Sequence, residues 1–398
     1  MINPEIKYEL AVAYGTTYGF EETLAVVESL KNLAPSCGKK VKRFEDDFAA
    51  YCGTKHALAV TSATTGLSLA GIAAGVGAGD EVITTPISWI ATAMAFSTLG
   101  ANIVFCDVDP RTLNLDPEKL EEKITPRTKA IVPVHLYGQC CAMDRIREIA
   151  EKYGVTVIED CAHNPGGEYL GQRSGSLGDM GVFSFHQQKN LSTLGEGGMI
   201  TTDNQELFDR ALSYRSLCCR TYGGSSKYLP IDEEAHPMDK EYWKLYFDDM
   251  GYNFRMTDIQ AAVGIEQLKK LDHHNAVRIE LANRLAEQLA GVRGLTLPYE
   301  DPRGKHVYHI FVVQVEDEFP LSKQDFMWEL YTEKGIKAWS HYMPIHLTDP
   351  YRARGHHEGE CPVAEAAHGK YVSLPIHPRL TNEAIDYMAA CIKELAEV

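Results

Sequence analysis

Along the chain, short runs of apolar residues alternate with stretches in which apolar positions recur every third or fourth residue. The short runs are Ala57-Leu58-Ala59-Val60, then 80–84, 102–107, 130–134 and 155–160, with 181–185 and 198–202 extending the series. Each holds two or more consecutive apolar residues instead of a strict alternation with polar positions, which predicts strands covered on both faces. Between them lie helical segments. Residues 40–56 place Phe44, Phe48 and Tyr51 on one side of a helix, and the segment after Gly66 carries Leu67, Leu69, Ile72 and Ala73. Further helices are predicted over 117–124 and 142–153, and a helix of small residues follows Trp89. Strands separated by helices imply a largely parallel sheet between helical layers, an α/β fold.

Beyond Leu271 the texture changes. A helical stripe over 258–290 carries Ile259, Ala262, Ile265, Leu268 and Leu271. It leads to a long strand predicted at 307–315, a helix at 322–334, a strand at 337–341 and a last helix at 381–396. A chain of 398 residues exceeds one simple core. The expected division is a large domain over 1–270 and a smaller α+β domain over 271–398, with the boundary inside the long helix. Residues 214–250 form an insertion, polar from 220 onward and dotted with Tyr222, Tyr228, Tyr242, Trp243, Tyr246 and Phe247. Insertions of that length tend to carry function or subunit contacts.

Composition then narrows the partners. A formal net charge of -16 argues against a nucleic-acid partner, which needs a basic footprint. A local anion site made of backbone N–H groups remains open. No apolar run reaches membrane-spanning length, and Met1-Ile-Asn-Pro-Glu-Ile-Lys7 lacks the pattern of a secretory leader. No membrane partner and a cytoplasmic location are expected. The ten cysteines include the adjacent pairs Cys140-Cys141 and Cys218-Cys219 but no C-x-x-C spacing, so reduced thiols are expected. His273-His274 and His356-His357-Glu358 are adjacent instead of spaced, and no metal is expected there.

The candidate chemistry lies at predicted strand ends. Lys189 sits between the strand 181–185 and the turn Gly195-Glu196-Gly197-Gly198, and Asp160 ends an earlier strand. A lysine amine so placed can condense with pyridoxal phosphate (PLP), and a carboxylate can keep the ring nitrogen protonated. Taken alone, Lys189 reads first as a solvated surface lysine. Thr61-Ser62-Ala63-Thr64-Thr65-Gly66 joins a strand to a helix start, as an anion cradle or as a plain N-cap. Trp89 follows the second strand on the same edge, either as a plate for an aromatic cofactor or as a core tryptophan. Asp160 stands at the carboxyl edge of a parallel sheet, where ligands bind, or caps a helix. His163 either hydrogen-bonds a ring hydroxyl or fills space. Gly75-Val76-Gly77-Ala78-Gly79 follows a helix and precedes a strand, the wrong order for a dinucleotide fingerprint.

With these features stand Tyr51-Cys-Gly-Thr-Lys-His-Ala57, Gly77-Ala-Gly-Asp-Glu-Val-Ile83, Pro133-Val-His-Leu-Tyr-Gly138, Ile158-Glu-Asp-Cys-Ala162, Gly175-Ser-Leu-Gly-Asp179, Gly251-Tyr-Asn-Phe-Arg-Met256 and Ser373-Leu-Pro375. By them, from about Phe44 to the C-terminus, the chain resembles the DegT/DnrJ/EryC1/StrS sugar aminotransferase family of fold type I PLP enzymes. The resemblance implies a mostly parallel seven-stranded sheet between helices, a smaller α+β C-terminal domain, pyridoxal 5'-phosphate as cofactor, and a homodimer with sites at its interface. It implies Lys189 as the Schiff-base lysine and proton carrier, Asp160 on the pyridine nitrogen and Trp89 stacked on the ring. Ala63, Thr64 and Ser184 would bind the phosphate, and Asn253 would reach the phosphate of the other subunit. His163 stands where the family commonly has glutamine, and Ala63 replaces a usual glycine.

A dehydrating subgroup of the family has histidine in place of the lysine; Lys189, with His186 three residues earlier, implies amino transfer. The reaction implied moves nitrogen from L-glutamine or L-glutamate to a keto-sugar or keto-cyclitol. Residues 88–92, Gln187-Gln188 and the insertion look more like the glutamine-using branch that acts on scyllo-inosose-like cyclitols. A nucleotide-linked keto-sugar with glutamate is the alternative, and a PLP-dependent dehydratase or a non-catalytic PLP-binding sensor are further ones. His186, Arg220, Tyr222, Lys227, Tyr342 and His346 are candidates for the acceptor pocket, or else dimer contacts or plain surface.

Overall fold

The computed structural model describes residues 10–11, 15–31, 36–225, 227–238, 240 and 242–397. Seven strands share one sheet: β1 (His56–Val60), β2 (Glu81–Thr84), β3 (Asn102–Phe105), β4 (Thr128–Val132), β5 (Thr156–Asp160), β6 (Met180–Ser184) and β7 (Gly198–Thr202). Their spatial order is β1-β7-β6-β5-β4-β2-β3. Every neighbouring pair is parallel except those of β7, which runs antiparallel to both β1 and β6. All five residues of β6 and all five of β7 are buried, and the consecutive apolar pairs Val182-Phe183 and Met199-Ile200 turn one side chain to each face.

Successive residues of a strand point to opposite faces, and the two faces have different coverings. The helices are α1 (Phe20–Ser29), α2 (Lys39–Cys52), α3 (Ala63–Ala73), α4 (Ala91–Ser97), α5 (Met143–Tyr153), α6 (Gln205–Arg215), α7 (Asp258–Leu289) and α8 (Lys323–Thr332), followed by others unlabelled here. Leu58, Val60, Val182 and Ile200 pack with Leu67 and Ala70 of α3, Phe96 of α4 and Ala211 of α6. Ala57, Ala59, Phe183 and Met199 pack instead with Phe44 and Phe48 of α2 and Ala261 and Ile265 of α7. The Phe48 and Phe183 rings meet edge to face at 4.9 Å, a geometry that adds to the burial of both.

Thr257 caps α7, its hydroxyl accepting from the Gln260 N–H at 3.3 Å. Farther along, Leu281, Leu285 and Leu289 of α7 join a separate core with Phe326 and Leu330 of α8 and with Ile385, Met388 and Ile392 of the C-terminal helix. That core rests on an antiparallel sheet in which β8 (Phe311–Val315) lies between Leu295–Thr296 and β9 (Tyr371–Leu374).

Several expected elements change form. Residues 117–124 make two 3-10 turns, Pro117–Lys119 and Glu121–Lys123, because Leu120 is the buried side chain there and supplies no helical stripe. The strand expected over 307–315 pairs only from Phe311. Its first part leans onto the large sheet's loops, the Val307 N–H donating to Gly138 O at 2.8 Å and the Ile310 N–H to Tyr137 O at 3.2 Å. The strand expected over 337–341 is short: Ile336–Lys337 pairs with Leu10–Ala11 and Trp339 bridges Ser373. Helix α1 was not expected, since its buried positions are Glu22, Ala25 and Ser29, which carry no apolar periodicity. The insertion folds into a small sheet of Cys219–Thr221, Leu229–Pro230 and Tyr246–Phe247. No helix among the described residues is long and apolar enough to cross a membrane.

Candidate active site

Parallel strands deliver their carboxyl ends to one edge of a sheet, and a binding site forms there. Here β1 runs into the start of α3, β5 ends at Asp160 and β6 ends at Ser184. They open onto one cavity of about 680 Å³. Lys189, Asp160, Ala63, Thr64, Ser184 and Trp89 line it, and so do His163, His186 and Tyr342.

Asp160 is buried at the back wall. Its Oδ2 accepts from the Thr92 hydroxyl at 2.8 Å and its Oδ1 from the Ala162 N–H at 3.0 Å. Burial pushes its carboxyl above the usual range, opposed by these two donors and by the charge of Lys189. Lys189 is recessed, its open side turned to the cavity. Burial brings its ammonium down to about 8, with the Asp160 charge pulling the other way. A lysine that titrates near 8 offers an uncharged amine in mildly alkaline solution. The rate at which the cofactor-free protein takes up PLP, followed by visible absorbance, should therefore rise with pH about a midpoint near 8. A rate still climbing at the pH of an ordinary lysine, about 10.4, would show the amine to be unperturbed.

The start of α3 is both an N-cap and an anion cradle. The Ser62 hydroxyl accepts from the Thr65 N–H at 3.3 Å, and the Gly66 N–H donates to Ser62 O at 3.0 Å. Helix geometry leaves the N–H groups of Ala63 and Thr64 without intrahelical acceptors, and both residues face the cavity. Gly198 of β7 makes this approach possible: a Cβ there would lie 2.7 Å from the Ser62 carbonyl carbon and 2.8 Å from the Ala63 nitrogen. The Ser184 hydroxyl, nearby on β6, accepts from the His186 N–H at 3.3 Å.

Trp89 is 61% exposed and is not a core tryptophan; its ring meets that of Tyr342 edge to face at 6.1 Å. His163 is more than filler. Its Nδ1 accepts from the Tyr137 N–H at 3.4 Å, and its Nε2 lies 3.1 Å from the Tyr342 hydroxyl. Burial, reinforced by Lys189, holds it well below the usual histidine range. The neutral ring is thus an Nε2–H tautomer that donates to Tyr342, and it addresses the cavity through that tyrosine.

Other expected residues lie elsewhere. Arg220 binds Asp248 and the Pro230 carbonyl, and Tyr222 donates to the carbonyls of His236 and Pro237, which keeps both within the insertion's own sheet. Lys227 lies in the same insertion and is not among the cavity walls. His346 is fully buried, bonded to Glu365 at 2.9 Å and packed on Phe105, so it is part of the interior. Asn253 is exposed and lines no part of its own chain's cavity.

Conversely, His309, Lys337, Trp339 and His341 line the cavity from the C-terminal part of the chain without having been foreseen. Lys337, Trp339 and His341 alternate along an extended segment, a period-two signal that places them on one face. Behind Asp160, Glu159 accepts from His135 at 2.8 Å and from the N–H groups of Gly175, Leu177 and Gly178 at 2.9, 2.8 and 2.7 Å. Its oxygens are thereby spent on anchoring the loop that enters β6.

An amine beside a carboxylate, a helix start with free N–H groups and an exposed indole fit the carbonyl, ring nitrogen, phosphate and ring face of pyridoxal phosphate. The protein is a PLP-dependent aminotransferase. More closely, residues 17–393 match the model of the DegT/DnrJ/EryC1/StrS aminotransferase family, and the chain belongs to that family. It is 38% identical over 383 residues to the spore coat polysaccharide biosynthesis protein SpsC of Bacillus subtilis, covering 95% of each chain. It is 38% identical over 361 residues to the GDP-perosamine synthase of Caulobacter vibrioides, covering 90% of this chain and 91% of that one. The PLP form of Spr1654 from Streptococcus pneumoniae superposes with a TM-score of 0.88 at 26% identity, over 98% of both chains.

Proposed function

We propose that the protein transfers nitrogen from L-glutamate or L-glutamine to the carbonyl carbon of a nucleotide-linked keto-sugar. The observation that carries the aminotransfer is Lys189 and Asp160 facing one cavity that Ala63 and Thr64, at the start of α3, also line. Similarity to a GDP-perosamine synthase supports a nucleotide-linked acceptor. Bound pyridoxal phosphate supplies an electron sink and a carrier for nitrogen. Lys189 Nζ would hold the cofactor, and its free amine would accept and return the proton at the reacting carbon. Asp160 would set a negative charge against the ring nitrogen. Ala63, Thr64 and Ser184 would bind the phosphate, and Trp89 would cover the ring.

The active unit is a homodimer in this reading. Asn253 is exposed on its own chain, where it can reach a second copy, and the insertion leaves Tyr242, Trp243 and Phe247 exposed. Ten buried, unbridged cysteines suit a cytoplasmic location. A second reading, a scyllo-inosose-like keto-cyclitol with glutamine as donor, is favoured by Trp89 within the Ser88–Thr92 segment and by Gln187-Gln188.

The test is to load the purified protein with PLP, add L-glutamate or L-glutamine separately, and follow with a nucleotide-linked keto-sugar or with scyllo-inosose. Mass spectrometry of the product decides. Exchange of oxygen for nitrogen on the nucleotide-linked sugar is expected; the same exchange on scyllo-inosose alone would favour the second reading. Loss of water without nitrogen gain would mean dehydration, and no reaction with either acceptor would overturn both acceptor readings.

A further inference from the structure

The residue after Lys189 belongs to a chain of hydrogen bonds whose direction is set by two backbone carbonyls, those of Pro165 and Val307. Pro165 offers a carbonyl oxygen, which can only accept. It takes a bond of 2.9 Å from Asn275 Nδ2, so the Asn275 amide turns its oxygen the other way. That oxygen lies 2.9 Å from Asn190 Nδ2, which also donates to the Val307 carbonyl at 3.2 Å. Asn190 must then present Oδ1 to its remaining partner, His309 Nδ1, at 3.2 Å. An amide oxygen only accepts, so His309 carries its proton on Nδ1. Asn190 and Asn275 are fully buried, and the chain is cut off from solvent exchange.

His309 lines the cavity, and its ring lies 4.5 Å from that of His163. Burial, helped by the charge of Lys189, holds it well below the usual histidine range. A neutral imidazole protonated on Nδ1 has its lone pair on Nε2. The neighbouring His163 has both nitrogens engaged already.

We propose that His309 Nε2 is a hydrogen-bond acceptor of the active site, taking an O–H or N–H of the ligand held at Lys189, and that Asn190 and Asn275 are positioning residues that fix its tautomer. The ligand part of this inference rests on the aminotransfer reading above. Two reactants there carry such a group: the keto-sugar through its hydroxyls, and the amino-acid donor through its nitrogen. A neutral acceptor binds either without placing a second positive charge beside Lys189.

Nitrogen-15 NMR of the full-length protein labelled at histidine tests the tautomer directly, with His309 assigned by the signal missing from His309→Phe. An unprotonated Nε2 and a protonated Nδ1 are expected. In Asn190→Leu, a change outside the cavity walls that removes the acceptor facing Nδ1, the signal should move toward a mixture of tautomers. A protonated Nε2 in the unsubstituted protein would overturn the proposal.

In PLP-loaded His309→Phe, whose retained visible band certifies the fold, KM should rise about three- to tenfold with little change in kcat. That is the loss of one neutral hydrogen bond. A rise confined to the keto-sugar assigns the sugar hydroxyl, and one confined to the donor assigns its nitrogen. Unchanged KM for both would overturn the binding role. If the unsubstituted protein aminates nothing, the aminotransfer reading fails, while the tautomer measurement still decides His309.

Discussion

Lys189→Ala should abolish turnover, a loss of at least about 10²–10⁴-fold, the scale of removing a positioned proton-transfer group. Two functions disappear together, the attachment of the cofactor and the proton carrier. Among the described residues the other amine lining the cavity is Lys337, which is exposed to solvent and not recessed as Lys189 is. The fold should survive. A lysine whose folded pKa of about 8 lies below its ordinary value costs stability at every pH below 8, and the cost fades as pH rises toward the unfolded value. Removing it should therefore leave the unfolding temperature of the cofactor-free protein at neutral pH unchanged or raised. Turnover assays paired with thermal melts check both halves. A fully active Lys189→Ala would sink the assignment, and an unfolded one would leave activity loss uninterpretable.

Asp160→Asn should lower kcat by about 10²–10³-fold, comparable with removing one preorganised electrostatic contact from a closed site. The change keeps the shape, and the Ala162 N–H retains an oxygen to donate to. The charge is lost, and so is the acceptor of the Thr92 hydroxyl, which must turn its proton to Ser88 and accept from the new amide instead. That charge also raises the pKa of Lys189, so without it the lysine should titrate below its value of about 8. The pH midpoint for PLP uptake must then move down, not up. An unmoved midpoint together with an unchanged kcat would mean that Asp160 is a structural carboxylate serving only Thr92 and Ala162.

The α/β class and the positions of most strands were readable because a strand covered on both faces carries apolar residues at consecutive positions. β7, expected over 198–202, is found at Gly198–Thr202. Where the reading failed, burial did not follow periodicity. Helix α1 buries Glu22 through Lys270 and Gln267, a polar contact across the fold that no apolar stripe announces. His346 looked like a pocket residue because its type is reactive; Glu365 and the ring of Phe105 make it part of the interior.

Local order was enough for a lysine after a strand, a carboxylate at a strand end, and a hydroxyl-rich start to a helix. Each of these depends on residues adjacent in the chain, and parallel strands then carry them to one edge whatever the later chain does. The far wall of the site depends on the chain's return after α7. His309 meets Asn190 across 119 residues of sequence, and Tyr342 meets His163 across 179. No local pattern encodes such meetings. The same holds for the protonation of His309: its composition allows either tautomer, and the carbonyls of Val307 and Pro165, acting through two buried amides, select one.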